Sequence, residues 1–268
     1  MTNGENSTKL PRTPPAAVRA ALRREVGFGC PVPGCGSPFL EWHHFDPPWH
    51  DRHHHEIAGM IALCSTHHPK ADGGAYTVDQ LRKFKADAAA SRSSVEAKFE
   101  WLRHRLVVVA GGNFSVNTMN AVIIGGKRAI WLTRDADDHL LLNLDASLLT
   151  KSGAPRVQME DSYWTSPVTE IDDLACPPNG RIVDIRYKNG DRYQIEFVDV
   201  PSMAAAFKRY DLSAMMLQSY LPFVAVEINC DIFGSTVRLT SAGTEVEGTL
   251  CGGNVFVNGE AAFNIAHI

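Results

Sequence analysis

Residues 24–36 read REVGFGCPVPGCG, residues 40–47 LEWHHFDP and residues 59–74 GMIALCSTHHPKADGG. Cys30 and Cys35 are separated by four residues that include Pro31, Pro33 and Gly34, a stiff knuckle, and Cys64 is followed by His67 with two residues between. Two thiolates from a knuckle, with a thiolate and an imidazole from the start of a helix, would close a tetrahedral zinc shell. Such a closed shell is structural. A segment this rich in Pro and Gly has little core of its own, so the free energy of binding Zn2+ would hold it together. The competing explanation is a coincidental cluster of buried cysteines, and the neighbouring histidines argue against it.

His43 and His44 fall between the two halves of this shell, and His68 directly follows His67. Hydrolysis of a phosphodiester needs an activated water, neutralised phosphoryl oxygens and help for the leaving 3′ oxygen. A neutral imidazole can take a proton from water near pH 7. One ion held by two imidazoles and open to the phosphate can supply the rest.

The order of these three strings is similar to the HNH endonuclease family, over about a quarter of the chain. The resemblance implies an N-terminal ββα-metal (HNH) module; with the flanking helices and the short apolar runs punctuated by Gly, Asn and Asp after Leu106, the expected fold class is α+β, the module being followed by a mainly β C-terminal domain. It implies that His44 is the general base and that His43 and His68 hold a catalytic Mg2+ or Mn2+. Cys30, Cys35, Cys64 and His67 become the structural Zn2+ set. DNA is the implied partner. The family's central Asn stands five residues before the third cysteine, and Gly59 occupies that place here. That Asn orients the loop by bonding backbone, and His54 and His55 are the expected substitutes.

Working outward, residues 15–27 (PAAVRAALRREVG) predict a helix, with Val18, Leu22 and Val26 on one face and arginines on the other. FLEWHHF is the one strand candidate in the loop-rich stretch that follows. Thr77 and Gln80 form a capping-box pattern opening a helix predicted over Val78 to about Leu106, with a break near Ser91–Ser94. The divisions expected are a flexible leader over 1–14, the HNH domain over 15–105 and the mainly β domain over 106–268. Within the last, IVDIRY and YQIEFV flank KNGD, a hairpin signal for which Asn-Gly suggests a type I′ turn. Residues 202–221 predict one or two short helices. GGNFSVN at 111–117 and GGNVFVNGE at 252–260 echo one another, which a common turn arising twice would explain.

The remaining readings are plainer. Arg24, Arg52 and Lys70 are candidate phosphate contacts, and Arg23, Arg82, Lys83 and Lys85 could extend the same track. His50 and His53 are expected at the surface or on phosphate, and Trp42 and Trp49 over the zinc core. Cys176, Cys230 and Cys251 read as buried free thiols. Asp135, Asp137 and Asp138 read as a solvated turn, lacking the ligand spacing of a calcium loop, and so do Asp172 and Asp173.

The net charge of −4 argues against a blanket electrostatic DNA binder. Yet residues 1–104 hold 13 Lys and Arg against 11 Asp and Glu, with nine of the eleven histidines, while the remainder holds 13 against 19. The N-terminal part is therefore the one expected to face phosphates. No run of eighteen apolar residues occurs, so no membrane span is expected, and the expected compartment is the cytoplasm. Two functions stand: a metal-dependent endonuclease in restriction, phage defence or a mobile element, and a catalytically inactive zinc-stabilised module binding DNA or protein. A homodimer or an unidentified protein partner would act through the C-terminal domain.

Overall fold

A computed structural model describes residues 10–150, 153–210, 217–232, 237–240 and 243–266, leaving out the side chains of 89–91. The chain is of mixed α and β structure, mostly β. It divides into two compact units, Met1–Arg92 and Ser93–Ile268. Among the described residues no helix is long and apolar enough to cross a membrane.

Unit 1 is built on a small core. Helix α1 (Ala16–Glu25) buries Leu22 completely and packs Val18 beside it, while Val26 is buried just past its end. The polypeptide then turns through Gly27 and Phe28, both at positive φ, into the Cys30–Cys35 knuckle. Strand β1 (Leu40–His44) runs antiparallel to β2 (Met60–Cys64), pairing Leu40 with Cys64 and His44 with Met60. Every residue of β2 is buried. At about 1.5–3 kcal/mol for each large apolar side chain removed from water, Met60, Ile61 and Leu63 make this strand a main contributor to the local driving force.

Helix α2 (His68–Asp72) starts directly after β2 with Pro69 in its first turn. It ends in a glycine-dependent cap: Gly74, at φ 77°, donates its N–H to Ala71, and Ala75 donates to the Lys70 carbonyl. This stop fixes Asp72 in the last turn. Helix α3 (Val78–Ser91) follows, opened by a complete Thr77/Gln80 capping box.

Helix α3 stops at Ser91, at the break expected near Ser91–Ser94, and the helix expected beyond it towards Leu106 does not form. Residues Ser94–Lys98 form a strand that pairs antiparallel with Tyr163–Pro167 of unit 2. Val95 is fully buried while its neighbours Ser94 and Glu96 are exposed, the period of a half-buried strand and not of a helix. The expected division at 105/106 therefore cuts into unit 2. The expected leader differs in another way. Residues 1–9 lie outside the described residues, but Pro14 is buried and the Pro11 carbonyl is hydrogen-bonded to His55, so the end of this segment is packed.

Among the described residues, unit 2 holds a seven-stranded and a ten-stranded sheet. The KNGD hairpin forms between Ile182–Tyr187 and Arg192–Val200. Only Gly190 takes a positive φ, at 97°, so the turn is not type I′. Instead the Asn189 side chain accepts from the Asp191 N–H and Gly190 alone supplies the left-handed residue. Met203–Tyr210 is helical, as expected there; residues 211–216 lie outside the described residues.

The echoed segments are neighbours. Val255–Val257 pairs in parallel with Phe114–Val116, and Ala261–Ile265 pairs in parallel with Asn120–Ile124 in the other sheet. Asn254 donates its backbone N–H and its side-chain N–H to the Asn113 side-chain oxygen Oδ1, a pair 141 residues apart. The two copies are stacked on one another in register, which a turn arising twice by chance does not require.

Candidate functional site

Cys30, Cys35, Cys64 and His67 converge, their ligand atoms all within 4.8 Å of one another. The Cys35 and Cys64 sulfurs are 3.7 Å apart, and His67 Nδ1 lies 3.4 Å from Cys30 Sγ and 3.3 Å from Cys64 Sγ. Two sulfurs about 2.3 Å from one tetrahedral ion stand about 3.8 Å apart, and a sulfur and an imidazole nitrogen about 3.5 Å. The cluster thus has the dimensions of a metal shell, and this Cys3His set could bind a metal such as zinc. Burial pushes the Cys30 thiol up to about 12. Burial also acts to raise Cys64, but hydrogen bonds from the His67 and Thr66 backbone outweigh it and leave the thiol below its ordinary value. A divalent ion at the centre would deprotonate all three thiols.

Arg92, just past α3, braces the knuckle: its guanidinium donates to the carbonyls of Gly36 and Cys30. A Cβ on Gly29 would come within 2.6 Å of this guanidinium and within 2.4 Å of the Gly36 carbonyl oxygen, so glycine is needed there.

A second group of donors lies on the same hairpin and helix. His43 Nδ1 is 3.1 Å from Asp72 Oδ1, His68 Nδ1 is 3.6 Å from Asp72 Oδ2, and Glu41 Oε2 is 3.4 Å from His68 Nδ1. Glu41 and His43 share one face of β1 because strand side chains alternate, while His68 and Asp72 are one turn apart on α2. Cis ligands about 2.1 Å from an octahedral ion stand about 3 Å apart, so these spacings fit an ion here too. His43 is held below its ordinary pKa first by burial, with Asp72 opposing and His68 adding to the fall. The sequence reading missed Asp72 and Glu41. The His68–Asp72 spacing of four residues was the available signal.

His44 turns away from this group towards the loop that links the strands. It is 5% exposed, and its ring lies 4.6 Å from Trp49 and 5.2 Å from His54. Neither ring nitrogen has a hydrogen-bond partner of normal geometry among the described residues. Burial, with His54 beside it, pushes His44 down to about 4, so the imidazole is neutral at neutral pH. A cleft of about 290 Å³ is lined by Arg12, His43, His44, Trp49, His50 and Asp72 among others. Trp49, expected over the zinc core, instead packs on His44 and stacks on His53 at 4.4 Å. Trp42 does pack against the core, under the Arg23 guanidinium.

Gly59, at the position of the family's Asn, lies in the turn that enters β2, and its carbonyl accepts from the Phe45 and Asp46 N–H groups. A Cβ there would lie 1.9 Å from the Asp46 carbonyl oxygen and 3.0 Å from His54 Cε1. No side chain fits. His54, 4% exposed, ties the loop instead: its Nε2–H donates to the Pro47 carbonyl, and its Nδ1 accepts from the Glu56 N–H. His55 does not share this role; its Nε2–H donates to Pro11. Introducing the family residue, Gly59→Asn, is therefore expected to destabilise unit 1 by about 1–3 kcal/mol or more. Thermal unfolding should show a midpoint lower by several degrees. An unshifted midpoint would contradict this reading of the turn.

The expected phosphate track is largely committed elsewhere. Lys85 donates to the Ile57 and Met60 carbonyls and pairs with Glu25, Arg82 pairs with Asp46 and Asp79, and Lys83 pairs with Asp87. Arg52 is exposed and paired with Glu56, a contact of small energy that phosphate could displace. Arg24 and Lys70 are exposed, and neither lines the cleft. In unit 2, Asp135, Asp137 and His139 form a further group of donors, but Asp135 already accepts from the Asp137 and His139 N–H groups and from the His139 ring. Cys176 and Cys230 are buried, whereas Cys251 is exposed, contrary to expectation, because its strand, Thr249–Cys251, is exposed throughout. In comparison with known proteins the chain matches no family model, no curated protein and no solved structure.

Proposed function

We propose that unit 1 is a metal-dependent endonuclease of the HNH, or ββα-metal, type that hydrolyses DNA phosphodiester bonds. The observation that carries this reading is a single cleft lined by two members of a His43, His68 and Asp72 donor set and by the neutral, unpartnered imidazole of His44. In it, β1, β2 and α2 are the ββα elements, and Cys30, Cys35, Cys64 and His67 hold a structural Zn2+.

His43, His68 and Asp72 would hold the catalytic ion, with Glu41 beside His68. When bound, that ion supplies charge neutralisation at the phosphoryl oxygens and at the leaving 3′ oxygen. A set of two imidazoles and a carboxylate suits Mn2+ or another transition ion better than Mg2+, which prefers oxygen ligands. His44 takes the proton from the attacking water. His54 keeps the loop around His44 in one arrangement, the task performed by the Asn in the family.

The test is cleavage of supercoiled plasmid by the full chain with Mn2+, Mg2+ or Zn2+ added after dialysis. Wild type is expected to nick or linearise it, and His68→Ala to fall at least about 100-fold, the scale of losing an ion that polarises the phosphate. If wild type carries zinc yet leaves plasmid intact with every ion, the inactive binding module is the correct reading.

A further inference from the structure

We propose that Arg12 is the phosphate-gripping cation of this cleft, carried over its His43 and His44 wall by a strap of residues 10–15. The inference rests on the endonuclease reading and adds to it a residue from a segment outside the strand, loop and helix that hold the metal donors.

Arg12 lines the cleft together with His43, His44 and Asp72, and of the described residues lining it Arg12 alone carries a fixed positive charge. The strap is anchored on both sides of it. His55 Nε2–H donates to the Pro11 carbonyl at 2.9 Å, and Pro14 is buried immediately before α1, whose first turn is tied by the Arg19 N–H to the Pro15 carbonyl. Two prolines flanking the arginine lower the conformational entropy lost in holding it there. The guanidinium of Arg12 pairs with no carboxylate among the described residues, unlike Arg52, Arg82 and Lys85.

A phosphodiester brings two non-bridging oxygens, and a planar guanidinium can bond both at once. The cleft otherwise offers Asp72 and imidazoles, so beside the bound ion Arg12 is the one fixed cation that the described lining residues bring to the phosphate. His55 then has a task separate from the chemistry: holding the strap.

The experiment uses the full chain with its metals in place. Binding of a short labelled DNA duplex is titrated across NaCl with Ca2+ in place of the cleaving ion, and plasmid cleavage is timed separately. Each phosphate contact contributes about 0.9 to the slope of log affinity against log salt. Arg12→Gln is expected to lower that slope by about 0.9 and to slow cleavage, Arg12→Lys to restore the slope, and His55→Ala to weaken binding by freeing the strap. An unchanged slope in Arg12→Gln overturns the proposal, whether or not cleavage slows, because a rate loss alone would assign Arg12 to positioning the imidazoles. Wild-type protein that binds with the Arg12-dependent slope but never cuts would overturn the endonuclease reading while leaving Arg12 as a phosphate contact. Wild type that neither binds nor cuts overturns both.

Discussion

A Cys64→Ser chain is expected to lose its bound metal and the folded structure of unit 1 together, while unit 2 keeps its β-sheet signal. The reason lies in how little else holds the knuckle. Cys30 and Cys64 are counted among the core itself, next to Leu22, Val26 and the apolar residues of β2. Between Gly27 and Leu40 the polypeptide has no helix and only an isolated bridge at its end. Binding of a structural zinc releases an apparent free energy on the order of 10–16 kcal/mol in small modules. That equals or exceeds the whole stability of an ordinary domain, about 5–15 kcal/mol. Elemental analysis should find the Cys3His-bound zinc in wild type and its loss in the variant, and amide NMR should show the dispersed signals of unit 1 collapsing. A variant that keeps both would show that the thiols are an ordinary apolar cluster.

The second large effect concerns chemistry and not folding. His44→Ala is expected to reduce metal-dependent plasmid cleavage by about 10²–10⁴-fold, the range that a positioned general base contributes. Zinc content should not change, because His44 belongs to neither donor set. Its ring touches Trp49 and His54, and neither ring nitrogen has a hydrogen-bond partner of normal geometry among the described residues. The variant should therefore stay folded, with a modest loss of stability from the space it leaves. Circular dichroism and metal content measured beside the cleavage rate separate the two effects. Undiminished cutting by folded His44→Ala protein would sink the assignment of the base.

Some of this was legible in the residues and some was not. The Cys3His convergence follows from two close pairs in sequence, because each pair is nearly fixed locally and β1 and β2 have only to bring two fragments together. His43 and His68 meet for the same reason. Asp72 was readable as well, since residues four apart on a helix share a face, but the helix expected to start at the Cys64 and His67 pair has no legible extent, because Pro69, Gly73 and Gly74 read as a break. Arg12 was hidden by the opposite fault. A polar, proline-bearing segment has no periodicity to betray a docked position, and only the buried Pro14 and the His55 bond reveal it. The stop of α3 was legible in the serines near Ser91–Ser94, but the strand Ser94–Lys98 was not, because five residues with one buried side chain give too short an alternation to stand out after an Ala-rich helix. Gly59 read as a missing residue, yet it is a requirement: the Asp46 carbonyl lies where a side chain would start, and His54 ties the loop instead.

The stacked copies in unit 2 bear on the order in which this chain can assemble during synthesis. Residues 252–266 add a strand to each of the two sheets, against partners 141 residues earlier. A contact so distant along the chain cannot form until its late half has been made, and topologies of this kind fold slowly. Unit 1 has no such debt, since its metal donors all lie between Cys30 and Asp72. At about 5–20 residues per second, the ribosome would need on the order of ten seconds more to complete unit 2. For that interval the first 92 residues can exist as a finished body ahead of an unfinished one, and any activity they carry would precede whatever restraint or guidance the second unit provides.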